Sequence, residues 1–479
     1  MSHRTIPYSC DNAVALGDVT AAGHVVFGKN SDRPVRETQP LVFNPRETHD
    51  DGDTLELAYR EIPQVEETYA TLGTAPYWCW GYELGVNEHD VVAGNEAVFT
   101  EPLKDALDAH DAGDTPERGL LGMELLRLGL ERATTAEAAV EVVAELLERY
   151  GQFGSAVAGK TDADGAYDNS YLVADPGEAW ILETAGSSWT ATRVNSGTAS
   201  ISNELTIREQ WDRDSGEIRA SAVEAGWWPG GREPFDFAEA YTDHETPLQV
   251  SHIRYQRSQQ LLARYAESGT FDDTDMRRIL RDHYEGTFLD GPKFNAALPD
   301  FLTICMHDSP AEFTWGDTVS SAVFELPADD DGFTTMWWTP GPPCIGAYVP
   351  VYILSGGVPD VVSHGGTVGR TLAQPATVAA DEFAADSYWW QFKRLLDAAK
   401  GDDHGSQFEQ NRRLVRKRFD RLESQFREEA ERNEAEARTL VRAGNQDEAS
   451  RLLASFTAEC VEAVLETVDD LVETIHEAE

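Results

Sequence analysis

The sequence is poor in positive charge. Of 479 residues, 39 are Lys or Arg and 85 are Asp or Glu, a formal net charge of −46, and only 7 of the basic residues are Lys. Such a polyanion is repelled by phosphate backbones, so no nucleic-acid partner is expected. Long apolar runs are missing too. No stretch approaches the ~20 residues that span a bilayer, which argues against a membrane partner. The first nine residues hold no apolar h-region, so no secretory signal is expected and a cytoplasmic location is. Cysteine is scarce: Cys10, Cys79, Cys305, Cys344 and Cys460 are an odd set without CxxC spacing. That argues against a disulfide framework or a zinc ribbon. Glu88-His89 has neither an HExxH frame nor a second ligand pair, so neither a metal nor another cofactor is expected.

Core-forming residues are plentiful, at 41% hydrophobic with 12 Trp. The acidic residues are scattered (Asp50-Asp51-Gly52-Asp53, Asp402-Asp403) instead of gathered in a tail. They read as a solvated coat of the kind that keeps halophile cytosolic proteins soluble in concentrated salt.

Cys10 opens a short strand running to Leu16, and a second runs from His24 to Pro34. The turn Thr20-Ala21-Ala22-Gly23 joins them, so the hairpin can bring Cys10 close to Asp32. Residues 10 to about 100 read as β-rich. Residues 117–150 are helical, with Leu120, Leu121, Leu125, Leu128, Val140, Val143 and Leu147 at helical spacing. Thr134-Thr135-Ala136-Glu137 fits a capping box that splits this region in two, and Tyr150-Gly151 ends it. Strands return over 168–207, helices over 250–285 and strands over 300–354. From about 386 the pattern changes. Val415, Phe419, Leu422 and Phe426 step by 4, 3 and 4, and Val461, Val464, Val468, Leu471 and Ile475 step by 3, 4, 3 and 4. Gly444-Asn445 between the two runs predicts a long antiparallel helical hairpin, packed on the catalytic body or on a partner subunit, so a homo-oligomer is one expectation. The order is that of an α+β fold with layered sheets sandwiched by helices. The expected division is a leader at 1–9, a catalytic domain at 10–385 and a helical region at 386–479.

Only the thiolate of a cysteine is strongly nucleophilic, so a catalytic cysteine needs a base and a cation nearby. One arrangement pairs Cys10 with a distant histidine. Another needs none. If the Ser9–Cys10 bond is cut, Cys10 carries a free α-amine with a pKa near ~7.7–8.0, within reach of its own sulfur. That amine can take the thiol proton and return it to the leaving group. The remaining requirements are a carboxylate to orient the amine and donors for the oxyanion.

Several stretches resemble, in order, the secernin and dipeptidase branch of the N-terminal nucleophile (Ntn) hydrolases. They include Val26-Phe27-Gly28-Lys29-Asn30-Ser31-Asp32-Arg33-Pro34, Trp80-Gly81-Tyr82-Glu83-Leu84-Gly85-Val86-Asn87-Glu88-His89, Gly94-Asn95-Glu96-Ala97, Ala179-Trp180-Ile181-Leu182-Glu183-Thr184, Thr339-Pro340-Gly341-Pro342-Pro343-Cys344 and Trp389-Trp390-Gln391-Phe392-Lys393-Arg394-Leu395. The resemblance implies a four-layer αββα sandwich and an N-terminal Cys nucleophile acting on amide bonds without a metal. The hairpin is more distantly similar to that of penicillin V acylases and bile salt hydrolases. By that likeness Asp32 falls at their amine-orienting aspartate, and Lys29 stands where they have an arginine. Asn95 falls near their oxyanion-hole residue, Asn203 at a second asparagine beside the nucleophile, and Arg254 at their late arginine, with Arg257 nearly as good. The implied activity is a dipeptidase cleaving short peptides once residues 1–9 are removed. An acylase of another linear amide and a non-catalytic, secernin-like interaction protein are the alternatives. His307 lies in another family-like stretch, Ile304-Cys305-Met306-His307-Asp308, with no role assigned.

Overall fold

The computed structural model describes residues 9–158, 160, 163–290, 295–297, 302–308, 316–328, 332–363, 365 and 383–477. Residues 1–8 of the expected leader lie outside them. In chain order come β1 (Cys10–Ala15), β2 (Val25–Pro34), β3 (Leu41–Asn44), β4 (Glu47–Thr48), β5 (Thr54–Glu56), β6 (Glu61–Pro63), β7 (Glu67–Thr68), β8 (Thr71–Thr74), β9 (Leu84–Asn87) and β10 (Val92–Val98). Helices α1 (Glu101–Asp111), α2 (Gly122–Arg132) and α3 (Ala136–Tyr150) follow, then β11 (Asp168–Ala174), β12 (Ala179–Ala185), β13 (Ser188–Val194), β14 (Thr198–Ile201) and β15 (Arg213–Asp214). After α4 (Ile218–Ala225), α5 (Phe237–Tyr241), α6 (Gln249–Ala266) and α7 (Asp273–Leu280) come β16 (Gly316–Leu326), β17 (Thr335–Pro340) and β18 (Val349–Tyr352). The chain closes with α8 (Tyr388–Lys400), α9 (Phe408–Arg442) and α10 (Gln446–Glu477).

Two antiparallel sheets carry the fold. One has the order β14-β1-β2-β16-β17-β18 and the other β15-β13-β12-β11-β10-β9-β8-β3. They face each other across a core in which Val14 and Phe27 of the first meet Leu84, Val92 and Leu172 of the second. The outer face of the eight-stranded sheet is covered by α2 and α3 through Leu125, Leu128, Val140 and Leu147. The six-stranded sheet is covered by α7, whose Met276 and Leu280 lie against Gly28 on β2. The layers therefore run α, β, β, α, and the fold is α+β as expected. Every residue of β1 is buried. Such a strand, covered on both faces, carries no polar alternation.

The helix punctuation is close to the expected one. The cap of α3 is Thr135, one residue beyond the first threonine of the expected box, and its hydroxyl accepts the Ala138 N–H at 3.2 Å. Gly151 closes the helix at φ 68°, where L side chains are strained. The C-terminal hairpin is present as α9 and α10, turning at Gly444 with φ 80°. Val415, Phe419 and Phe426 share one core with Val464, Val468, Leu471 and the strands of the six-stranded sheet, so the hairpin packs on the body of its own chain. Among the described residues, no helix is long and apolar enough to cross a membrane.

Candidate functional site

β1 and β2 pair antiparallel with Cys10 opposite Ser31 and Asn12 opposite Lys29. β14 flanks β1 on its other edge, with Asn12 opposite Ile201, so the chain leaving β14 passes beside Cys10. Four groups that are distant in sequence meet there. The Cys10 N–H donates to Asn203 Oδ1 at 3.0 Å. The Asp32 N–H donates to Cys10 Sγ at 3.3 Å. Arg254, from α6, donates to the Cys10 carbonyl at 2.9 Å and to Asn203 Oδ1 at 2.6 Å. Arg257 instead pairs with Asp282, at 2.7 Å, so Arg254 is the arginine brought to Cys10.

The Asp32 carboxylate faces the residue before the cysteine. Its Oδ2 accepts the Ser9 hydroxyl at 2.8 Å, and its Oδ1 accepts the Thr318 hydroxyl at 2.6 Å. Ser9 Oγ also lies 2.9 Å from Met306 Sδ. Burial lifts the Asp32 carboxyl to about 7, against the opposing hydrogen bond from Thr318. Burial, followed by the Glu96 carboxylate, pushes the Cys10 thiol well above its ordinary value, while Lys29 pulls it down. In the uncut chain the sulfur is therefore held as a thiol.

Asn95 is placed differently from the other expected residues. Side chains alternate along β10. Gly94 and Glu96 face the six-stranded sheet, where Glu96 Oε1 accepts the Asn12 amide at 2.8 Å. A Cβ on Gly94 would lie 2.4 Å from Asn12 Oδ1 and 2.9 Å from the Lys29 stem, so glycine is what lets the two sheets close here. Asn95 faces the α2 side. Its amide donates to Asn169 Oδ1 at 3.1 Å, and Lys29 Nζ reaches both its backbone oxygen and, at 3.2 Å, its Oδ1. No hydrogen bond joins Asn95 to Cys10 among the described residues. Asn203 is beside Cys10, yet it presents its amide oxygen to the cysteine and donates its Nδ2 to the Ala97 carbonyl at 2.8 Å.

Residues 82–297 match the model of Peptidase family C69. That stretch, a little under half of the chain, is similar to Peptidase family C69. Among solved structures, the chain is similar to a mutant conjugated bile acid hydrolase from Clostridium perfringens. The identity is 14%, covering 68% of this chain and 88% of that one, with a TM-score of 0.37. A second variant of that hydrolase gives 12% identity over 69% and 89%, with a TM-score of 0.35. A Caenorhabditis elegans N-acylethanolamine-hydrolyzing acid amidase ortholog gives 14% identity over 67% and 94%, with a TM-score of 0.33. The C69 match supports a hydrolase of the cysteine peptidase class.

Sequence reasoning missed three groups at the site. Asp11 pairs with Arg254 Nη1 at 2.6 Å with both side chains buried. Glu96 is the carboxylate that acts most strongly on the Cys10 thiol. Thr318 links β16 to Asp32. The resemblance named Asn95, and its neighbour Glu96 was legible only once the inward face of β10 was known.

Proposed function

We propose that the chain is a cysteine amidohydrolase, a dipeptidase of short linear peptides, acting through Cys10 once residues 1–9 have been removed. One observation carries this reading: the nitrogen, sulfur and carbonyl of a single buried residue, Cys10, are each held by a different group, namely Asn203, Asp32 and Arg254. Asp32 Oδ2 now binds the Ser9 hydroxyl, one peptide bond from the Cys10 nitrogen. When Ser9 leaves, the new α-amine can take the place of the Ser9 hydroxyl beside that carboxylate. The Asp32 carboxylate then orients the neutral amine, whose pKa near ~7.7–8.0 leaves a free lone pair to take a proton near neutral pH.

In the cycle that follows, the amine accepts the Cys10 Sγ proton as the sulfur attacks the substrate carbonyl. The C–N bond then breaks, and the proton passes to the leaving amine. Water, deprotonated by the same amine, hydrolyses the thioester and restores the thiol. Asn203 is the side-chain amide nearest the oxyanion, and it serves as donor after rotating its Nδ2 inward. Asn95 joins it if its amide is freed from Asn169. The body at 10–385 carries this chemistry, the helices at 386–479 brace it, and the acidic coat suits a cytoplasm rich in salt.

The test is intact-mass measurement of the purified chain, with hydrolysis of a dipeptide library in concentrated salt. A mass starting at Cys10, with activity abolished in Cys10→Ala, supports the reading. A mature mass that still includes Met1 or Ser2, or full activity in Cys10→Ala, overturns it.

A further inference from the structure

Three loops converge beneath the C-terminal hairpin. His283 follows α7, Cys305 and His307 precede β16, and Cys344 lies between β17 and β18. One donor atom from each of the four residues lies within 4.8 Å of all the others. All four side chains are buried, none more than 2% exposed. His307 Nε2 lies 3.3 Å from Cys344 Sγ and 3.7 Å from Cys305 Sγ. The two imidazole rings are 5.3 Å apart. Ligand bonds of about 2.0–2.3 Å in a tetrahedron set nitrogen and sulfur donors about 3.3–3.8 Å apart. The two spacings from His307 are already in that range, and the remaining ones need close by no more than about 1.5 Å.

The surroundings fit a bound cation. Glu285 Oε1 lies 3.3 Å from His283 Nδ1. A carboxylate on one ring nitrogen orients the other toward a metal and raises its basicity. His283 Nε2 is buried and makes no hydrogen bond of ordinary geometry among the described residues. Thiols and imidazoles make only weak hydrogen bonds to one another, and the Phe408 ring packs 5.2 Å from His307 on one side of the cluster.

We propose that His283, Cys305, His307 and Cys344 bind one divalent transition-metal ion, zinc by preference, in a closed tetrahedral N2S2 site. Binding releases both thiol protons to solvent, and two thiolates balance the dication, so no net charge is buried. Four protein ligands leave no open position for water or substrate, so the ion is structural and separate from the Cys10 chemistry. Its consequence for the cysteine is positional. Met306, between two of the ligands, donates its N–H to Thr318 Oγ1 at 2.9 Å, and Thr318 donates to Asp32. The ion thereby braces the wall that holds Asp32. No metal is expected from the sequence because no cysteines have CxxC spacing and Glu88-His89 lacks a second ligand pair; of the four ligands only Cys305 and His307 are close in the chain. The other two ligands arrive from 22 residues before the first and 37 after the second.

The test needs no enzymatic activity, so its failure is distinct from failure of the hydrolase reading. Wild type and Cys10→Ala, purified without added metal and dialysed, are assayed by plasma mass spectrometry. Both should carry about one zinc per chain, and Cys344→Ser should lose it. Wild type stripped with a chelator and titrated with Co2+ provides a readout independent of that variant's folding. A thiolate-to-cobalt charge-transfer band and strong visible absorption should saturate at about one equivalent and vanish on adding Zn2+. Absence of both bound metal and cobalt bands in folded wild type overturns the proposal. So does full metal retention in Cys344→Ser, or a thiol count in denatured, unreduced protein that falls short of the five free cysteines by a Cys305–Cys344 pair.

Discussion

Replacing Asp32 with Asn in the Cys10→Ala chain, which keeps the uncut arrangement, should flatten the pH dependence of folding stability. Burial raises the Asp32 carboxyl from an ordinary 3.8 to about 7. The folded chain therefore keeps this proton over a range where the unfolded chain has lost it. Folded protein binds more protons there, so stability is fully present below about pH 4 and is lost as pH rises toward about 7. The gap corresponds to about 4 kcal/mol in total, at about 1.4 kcal/mol per pH unit. Burial also raises Glu124 and Glu183 to about 7, Asp168 to about 6 and Glu325 to about 8. Those groups titrate in both proteins and cancel in the difference. The assay is urea denaturation followed by tryptophan fluorescence at fixed high salt, from pH 5 to 8, for Cys10→Ala with and without Asp32→Asn. The Asn substitution keeps one acceptor oxygen and loses one of the two hydrogen bonds from Ser9 and Thr318, which shifts its curve as a whole without tilting it. Parallel curves for the two proteins would refute the claim that Asp32 is held protonated.

Two further substitutions probe the frame around the cysteine. Arg254→Met should destabilise the chain by about 3–5 kcal/mol in the same urea assay, because it strands the buried Asp11 carboxylate; adding Asp11→Leu should recover part of the loss. In the hairpin, Phe419 is fully buried with its ring 6.1 Å from Phe392, and Phe419→Ala should cost about 3–5 kcal/mol by leaving a cavity between α8 and α9.

The elements legible in the sequence are those with local signals. The hairpin holding Cys10 and Asp32 showed in its turn and β-branched flanks, and α9 and α10 showed in steps of 3 and 4 broken at Gly444. Arg254 came from the resemblance, and its reach to Cys10 agrees with its position on α6. What escaped depends on pairings between distant strands. Thr318 meets Asp32 across 286 residues, and Asp11 meets Arg254 across 243. Neither leaves a mark in local periodicity. Asn95 shows the complementary problem. Its strand was legible, but which of two alternating faces looks at β1 depends on a sheet-to-sheet contact, and Gly94 is the residue that makes it.

The pairing of Thr318 with Asp32 depends on an irregularity in β16. Thr318 opposes Asp32 and Ser320 opposes Ser31, so Val319 is an extra residue in the ladder. In a regular ladder continued from Ser320, Val319 would stand opposite Asp32 and Thr318 opposite Arg33, and the carboxylate would lose its hydroxyl donor. A bulge of this kind re-aims one side chain at the expense of local pairing, so something must hold the extra residue. Here the Val319 carbonyl accepts the indole N–H of Trp389 at 2.9 Å and the Gly341 N–H at 2.9 Å. The Val319 side chain packs against Trp389 and Trp390. Trp389 belongs to α8, the first helix of the C-terminal region. That region thus bears on the hydrogen bonds around Cys10 through one displaced residue of a central strand.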